Sequence, residues 1–473
     1  MSHHNKEILA FGLSVMITGA AVAAAFMLFN GQAKFLIPNI QNNLDSSPNN
    51  LLAVNPAITA RKSEGERLIM VSRRNTDKEE GIKLYAQKNY AAAVAKWQTY
   101  LDSQGGRTDP EARIYFNNAQ IAEKDSAKIA VVVPVGSNRE IAEEILRGVS
   151  QLQTEVNSQG GVNGKLIKIA ILNDDNLPDV AQDIAQYLVN DKTFLAVVGH
   201  NASDASKAAA PIYEKGGLVM VSPTSKSKDL TGSGKYIFRT VASIVFEVDL
   251  LYQYSIKNKN ANQIAICLSG DNLSLSMRDA LVNRPKFNPI PCSLASSNFD
   301  ADAIANQLLN AKIDALIIAG GTRKDYAENS IKLAKALKNR MVIMSDSSLY
   351  TKEPTLTFSP GASENMVISI PWHPEGPNSK EFADKAEKIW GGRVNWRSAT
   401  AYDALLAIST ALKANPTREG IQQSLSSKDF AVDGAAGTIR FSSDGDTQNR
   451  PILVKVTKKE PSQSGTGYDF IPF

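Results

Sequence analysis

The sequence is poor in the residues that carry metal, redox and hydrolytic chemistry. Its 473 residues hold two cysteines and four histidines, and two of the histidines, His3 and His4, stand at the extreme N-terminus. That leaves little material for a metal site, and no cofactor is expected. No glycine-rich nucleotide loop of the proper spacing follows a strand. Ser225-Lys226-Ser227-Lys228 matches the S-x-x-K pattern of serine nucleophiles, a pattern common by chance. Its companion K-T-G is absent, and Ser269-Gly270-Asp271-Asn272 is not S-D-N. His200 lies near Ser203, but a histidine just before a helix serves local hydrogen bonding more often than catalysis. An enzyme is therefore not expected. Excess charge is missing too: Lys+Arg number 52 against 48 Asp+Glu, a formal net charge of +4. With no basic stripe interleaved with aromatics, no nucleic-acid partner is expected. Cys267 and Cys292 fall in consecutive predicted strands; they pair in an oxidising compartment and otherwise remain two buried thiols.

What is present begins with Ile8–Phe29, an uncharged apolar run. A bilayer span takes about 20 such residues, whereas the apolar region of a cleaved signal is shorter, about 7–15. Ala21-Val22-Ala23 and Ala23-Ala24-Ala25 still offer small-residue cleavage patterns. Residues 1–30 are read as a retained transmembrane anchor, with a signal as the alternative. Lys6 precedes the run and only Lys34 follows closely, which places the N-terminus inside and the remainder outside the cytoplasm. Residues 31–60, rich in Asn, Pro and Ser, form a linker. In 61–126 the composition turns helical, and Gly81, Tyr90, Ala93 and Trp97 follow the spacing of small and aromatic residues in a tetratricopeptide repeat. So short a tetratricopeptide-like segment docks on a protein partner, self-associates, or acts as a helical spacer.

From Lys128 strand and helix alternate. Strands are expected at Ile129–Val135, Lys165–Leu172, Phe194–Val198, Leu218–Val221 and Tyr236–Thr240, with helices between them. A second alternation follows Ser243, with strands at Ile264–Leu268, Ile290–Leu294, Ala315–Ala319, Met341–Met344 and Met366–Pro371. Helices are expected near Ser379–Trp390, Ala399–Leu412 and Thr417–Ser424. A hairpin closes the tail: Gly437–Phe441, the turn SSDGD, then Pro451–Val456. Two βα arrays predict two doubly wound lobes. The centre of the chain is Phe194–Thr231: a strand ending at Gly199-His200, a helix with Ser203 at its start to cap it, a second strand, and the turn Ser222-Pro223-Thr224-Ser225. Hydroxyls and free backbone N–H groups meet at the carboxyl ends of parallel strands, where open α/β sheets bind ligands.

The motifs, in order, are the ILRGV helix with GGVNGK, ILNDD, VVGHNASDASKAAAPIYEKGGLVMVSP with DLT, YIFRT, LIIAGG, VIMSD, MVISIP and AYDA. Together they resemble the type I periplasmic binding proteins of ABC transporters, the leucine/isoleucine/valine-binding family, over Lys128 to about Val456. The resemblance implies an α/β bilobed fold of two parallel-sheet lobes with three crossovers, near Ser243, Pro371 and Ala435. Lobe 1 is then 127–243 and 372–435, and lobe 2 is 244–371 and 436–473. It also implies an extracytoplasmic, periplasmic solute-binding protein of an importer, with permease subunits as partners, or a membrane-anchored sensor using the same module. A scaffold whose cleft no longer binds is the remaining reading. By position, Ala202, Ser203, Thr224 and Ser225 grip the ligand from the first lobe, and Asp346 takes its ammonium from the second. A charge-assisted hydrogen bond of that kind is worth roughly 1.5–3 kcal/mol. The departures are Lys226, where the family often has threonine, and Leu273 and Thr322, where it has covering aromatics. Lys226 either reads an acidic group on the ligand, pairs with Asp346 across the cleft, or turns to solvent. The ligand expected is a polar or acidic amino acid or a related small molecule.

Overall fold

Continuous aliphatic runs, too apolar to leave a face in water, build the central strands of two sheets. The computed structural model describes residues 56–473 apart from 297, 322, 338, 339, 360 and 378. The run Ile8–Phe29, most of its linker and Thr322 therefore lie outside the described residues. The first sheet has the order β1-β3-β2-β4-β5-β6. Its strands are β1 (Lys62–Ser63), β2 (Ser126–Val133), β3 (Leu166–Asn173), β4 (Phe194–Val198), β5 (Val219–Ser222) and β6 (Ile237–Arg239). All pair in parallel except β1, which lies antiparallel on β3. The second sheet has the order β14-β13-β10-β9-β8-β7. Here β7 (Ile264–Leu268), β8 (Ala315–Ala319), β9 (Val342–Ser345) and β10 (Val367–Ile370) are parallel, and β13 (Ile452–Lys458) and β14 (Tyr468–Pro472) close the edge antiparallel.

Before the first βα unit come α1 (Pro56–Arg61), α2 (Thr76–Ala86), α3 (Tyr90–Asp102) and α4 (Pro110–Gln120). Then follow α5 (Arg139–Ser158), α6 (Pro178–Asn190), α7 (Ser203–Gly216), α8 (Ile244–Lys259), α9 (Asn272–Leu281), α10 (Ala301–Asn310), α11 (Lys324–Leu337), α12 (Lys380–Trp390), α13 (Trp396–Leu412) and α14 (Arg418–Leu425).

The helices α2–α4 are not a detached spacer. Tyr85, Trp97, Ile114 and Tyr115 share one buried cluster with Val131 of β2 and Ile145 of α5. Gly81 lets α2 lie on Trp97: a Cβ there would come within 2.5 Å of the indole Nε1. Lys78, fully buried, reaches Asp109 and Glu111 at 2.6 Å each. Burial works against the Lys78 ammonium, but the two carboxylates outweigh it and hold its pKa above the ordinary value. The Arg73 guanidinium joins Glu143 of α5 at 2.6 Å. At the other end, Arg107 donates to the carbonyl of Lys388 in α12 at 2.6 Å, and Arg113 lies over the Trp390 ring. The segment thus rests on both lobes.

Three expectations are corrected. Ile290–Leu294 forms no strand, only isolated bridges beside β7 such as Leu268 with Ser293. Pro289 and Pro291 deprive it of ladder donors. Cys292 is nonetheless disulfide-bonded to Cys267. The closing hairpin is cut short: the SSDGD turn brings Phe441 back onto Thr447, but β12 (Gly437–Ile439) pairs with β11 (Val432–Gly434), while β13 pairs with β10 and β14. The second and third crossovers lie later than Pro371 and Ala435. Phe382, Ala386 and Trp390 of α12 belong to the second lobe's core, and the chain returns only at α13. Ala435 touches the second lobe's core, but the chain stays with the first lobe through Phe441, which stacks on Phe430 and meets Phe238 edge-on, and through Asp446, which pairs with Arg239.

The stretch between β11 and β12 is pinned by Asp403 of α13. This buried carboxylate accepts from the backbone N–H of Ala435 at 2.5 Å and of Ala436 at 3.0 Å. Burial pushes its pKa up to about 7, against those two hydrogen bonds.

Candidate functional site

The tips of β4, β5, β7 and β9 bring six of the eight predicted residues to one small cavity between the lobes. Ala202, Ser203, Thr224 and Lys226 line it from the first lobe, and Leu273 and Asp346 from the second. Its volume is about 30 Å³, room for about two water molecules. Ser225 is the exception. It is fully buried, and its hydroxyl bonds to Ser206 and to the carbonyls of His200 and Asn201, so it fastens the turn instead of facing the cavity. The remaining residue, Thr322, is outside the described residues.

Ser203 does not cap α7. The cap is Ala202, without a side-chain hydrogen bond, and the Ser203 hydroxyl instead accepts from the backbone N–H of Ser227 at 3.3 Å. Thr224 donates to the carbonyl of Asn201 at 3.0 Å. Both imidazole nitrogens of His200 are taken, Nδ1 by Asp174 at 2.7 Å and Nε2 by Tyr213 at 3.0 Å. That ring has no nitrogen left to activate a serine. Lys228, the last residue of the S-x-x-K pattern, points to Asp279 at the surface.

Of the three places open to Lys226, the structure puts it across the cleft. Its Nζ lies 2.8 Å from Asp346, 3.0 Å from Glu247 at the start of α8, and 2.6 Å from the Ser347 hydroxyl. All are buried. Burial alone would depress the ammonium; Asp346 and Glu247 reverse that and raise it. One ammonium does not neutralise two carboxylates, and burial, helped by Asp346 and opposed by Lys226, pushes Glu247 up to about 7. Glu247 escaped the sequence reading because an acid in the first turn of a helix ordinarily answers the helix dipole.

Apolar cover also comes from an unexpected place. Trp396, at the first position of α13, lines the cavity with Arg397 beside it. The guanidinium lies over the indole, 4.4 Å from the ring centroid. Glu144 of α5 holds this helix start by accepting from the Asn395 backbone N–H at 2.9 Å and the Ser398 hydroxyl at 2.7 Å. Arg397 is 3% exposed and donates to the carbonyls of Tyr350 at 3.2 Å and Ser347 at 3.4 Å. Burial lowers its pKa to about 10, against the pull of Glu140 and Glu144, so it stays charged at neutral pH. Beyond Arg397 a second cavity of about 1110 Å³ opens between α5 on one lobe and residues around Tyr350 and His373 on the other. Ile141, Ser348 and Arg397 line both.

Residues 126–461 match a protein family described as periplasmic binding protein. The chain belongs to the periplasmic binding protein family. Among curated members, the leucine-specific-binding protein of Salmonella typhimurium is 24% identical over 339 residues, covering 69% of this chain and 90% of that protein. An amino acid binding protein of Pseudomonas aeruginosa is 28% identical over 146 residues, 31% of this chain, and the match spans only 39% of that relative's length. Among solved structures, a solute binding protein of an ABC transporter from Rhodopseudomonas palustris in complex with 3,4-dihydroxybenzoic acid superposes with a TM-score of 0.62. It is 18% identical and covers 74% of this chain and 97% of its own. The matched region starts at β2, so the helices α2–α4 are an addition to what the periplasmic binding protein family shares.

Proposed function

We propose that this protein is the extracytoplasmic, periplasmic solute-binding component of an ABC importer, holding a small polar molecule between its lobes. The observation that supports it is the convergence of Ser203, Thr224 and Lys226 from one sheet with Leu273 and Asp346 from the other on one buried cleft. A cavity of about 30 Å³ is too small for an amino acid, so a ligand enters an opened form and favours reclosure through its contacts to both lobes. Leucine and dihydroxybenzoic acid, named for two relatives, share a carboxylate, and the cleft's cations suit one. The run Ile8–Phe29 serves in this reading as the inner-membrane anchor, permease subunits receive the solute, and the tetratricopeptide-like helices offer a face to a protein partner. Among the described residues no helix is long and apolar enough to cross a membrane.

Calorimetric titration of the full chain with small carboxylates and amino acids tests the site. The double variant Ser203→Ala, Thr224→Ala is expected to weaken binding at least tenfold while the thermal transition stays cooperative; unchanged affinity removes the assignment. A membrane-anchored sensor is the second reading, favoured by the contacts of α2–α4 and their loops with both lobes at Arg107 and Arg113. Loss of solute uptake on deleting the gene points to transport, and retained uptake to sensing.

A further inference from the structure

The hydrogen-bonding capacity of the cleft is lopsided. Its acceptors are engaged: Asp346 and Glu247 already hold the ammonium of Lys226, at 2.8 and 3.0 Å, and the two other carboxylates lining the cavity, Asp204 and Asp271, accept from the Asn272 side chain and the Ser274 backbone N–H. Asp346 also receives the hydroxyl of Ser348 at 2.7 Å and its backbone N–H at 3.1 Å. A ligand amino group would have to displace a lysine tethered to the same site, whose effective concentration far exceeds that of a free solute. The donors are in surplus. Arg397 meets two carbonyls and, among the described residues, no carboxylate within 4.0 Å. The buried indole Nε1 of Trp396 has no hydrogen-bond partner among the described residues. A buried guanidinium whose neighbouring carboxylates, Glu140, Glu144 and Asp346, act on it only from beyond ion-pair distance, and an orphaned N–H, are each unfavourable unless something supplies acceptors. Both residues line the small cavity, and Arg397 also faces the large one, where a molecule bigger than a water fits.

From this geometry we infer that the ligand is a carboxylate without an amino group: Lys226 takes the place of the ligand ammonium, and Arg397 with the Trp396 N–H receives the carboxylate. The body of the molecule extends into the cavity of about 1110 Å³. This rests on the solute-binding reading and narrows it, because α-amino acids become the excluded class and organic acids the accepted one. A bidentate guanidinium–carboxylate pair supplies the orientation, as such pairs do wherever a planar anion is recognised. Threonine at position 226 would leave the acidic pair free for an amine.

The test is a matched panel titrated calorimetrically into the full chain: 3-phenylpropanoate, 3-(4-hydroxyphenyl)propanoate, glutarate and 4-methylpentanoate against phenylalanine, tyrosine, glutamate and leucine. At least one amine-free acid is expected to bind at least tenfold more tightly than its amino counterpart. Arg397→Gln is expected to abolish that binding with the fold retained, and Lys226→Thr to shift preference at least tenfold toward amino acids. If wild type prefers the amino acids, the inference is overturned and the solute-binding reading stands. If neither set binds to wild type or to Lys226→Thr, both fail. Because the wild-type comparison decides the ligand class alone, misfolding of a variant does not rescue the inference.

Discussion

The substitution Asp403→Asn isolates one buried proton at the point where the chain last threads the first lobe. The native carboxyl is pushed up to about 7 by burial, from 3.8 in an unfolded chain. The folded state therefore binds this proton more tightly than the unfolded one. The stabilisation is complete below pH 3.8 and is lost as pH rises through about 7. A gap of about three pH units, at about 1.4 kcal/mol each, amounts to roughly 4 kcal/mol across the window. Between pH 5 and 7.5 roughly 2.5 kcal/mol of it disappears. Glu247 titrates in the same direction, so wild type alone would not identify the group. Asparagine keeps one acceptor for the Ala435 or Ala436 N–H and has no proton to lose. Urea unfolding of both proteins at half-unit pH steps checks this: wild type should lose about 2.5 kcal/mol relative to Asp403→Asn between pH 5 and 7.5. Stability curves that stay parallel would refute the reasoning.

Removing Lys78 by Lys78→Met leaves Asp109 and Glu111 buried without their cation; a cost of about 3–5 kcal/mol is expected. It should appear first as faster hydrogen exchange in α2 and α3. Cys267→Ser with Cys292→Ser opens a loop spanning 25 positions. Loop entropy then predicts a loss of roughly 3–4 kcal/mol, read as a lower urea midpoint of the second lobe. A fragment beginning at Lys128 should unfold more readily than the full chain, because it lacks Trp97 and Tyr115 from the first core; limited proteolysis would show it.

Much of the two-sheet plan was legible because hydrophobic periodicity and turn chemistry agreed. Phe194–Val198, Ile264–Leu268 and Ala315–Ala319 are strands at the expected bounds, and α7 begins at Ser203. What failed needed partners distant in sequence. The amphipathic face of α12 fits either lobe until Trp372 is placed against Phe382. Pro451–Val456 reads as half of a local hairpin, yet its partner is β10, some eighty residues earlier. The cleft shows the same limit at single-residue scale. Thr224 and Lys226 face the cavity while Ser225 between them is locked into the turn, and only the folded backbone separates the two roles. The missing aromatic cover was sought near Leu273 and Thr322, but Trp396 arrives from α13, more than seventy positions further on.

The added helices have a mechanical consequence. They are fused to one half through a shared core and touch the other along a rim, where Arg107 holds the Lys388 carbonyl and Arg113 covers Trp390. If the lobes part to admit a solute, as proposed, α12 lifts from that rim, and an event hidden among strand tips becomes a change on the outer surface, within reach of a neighbouring protein.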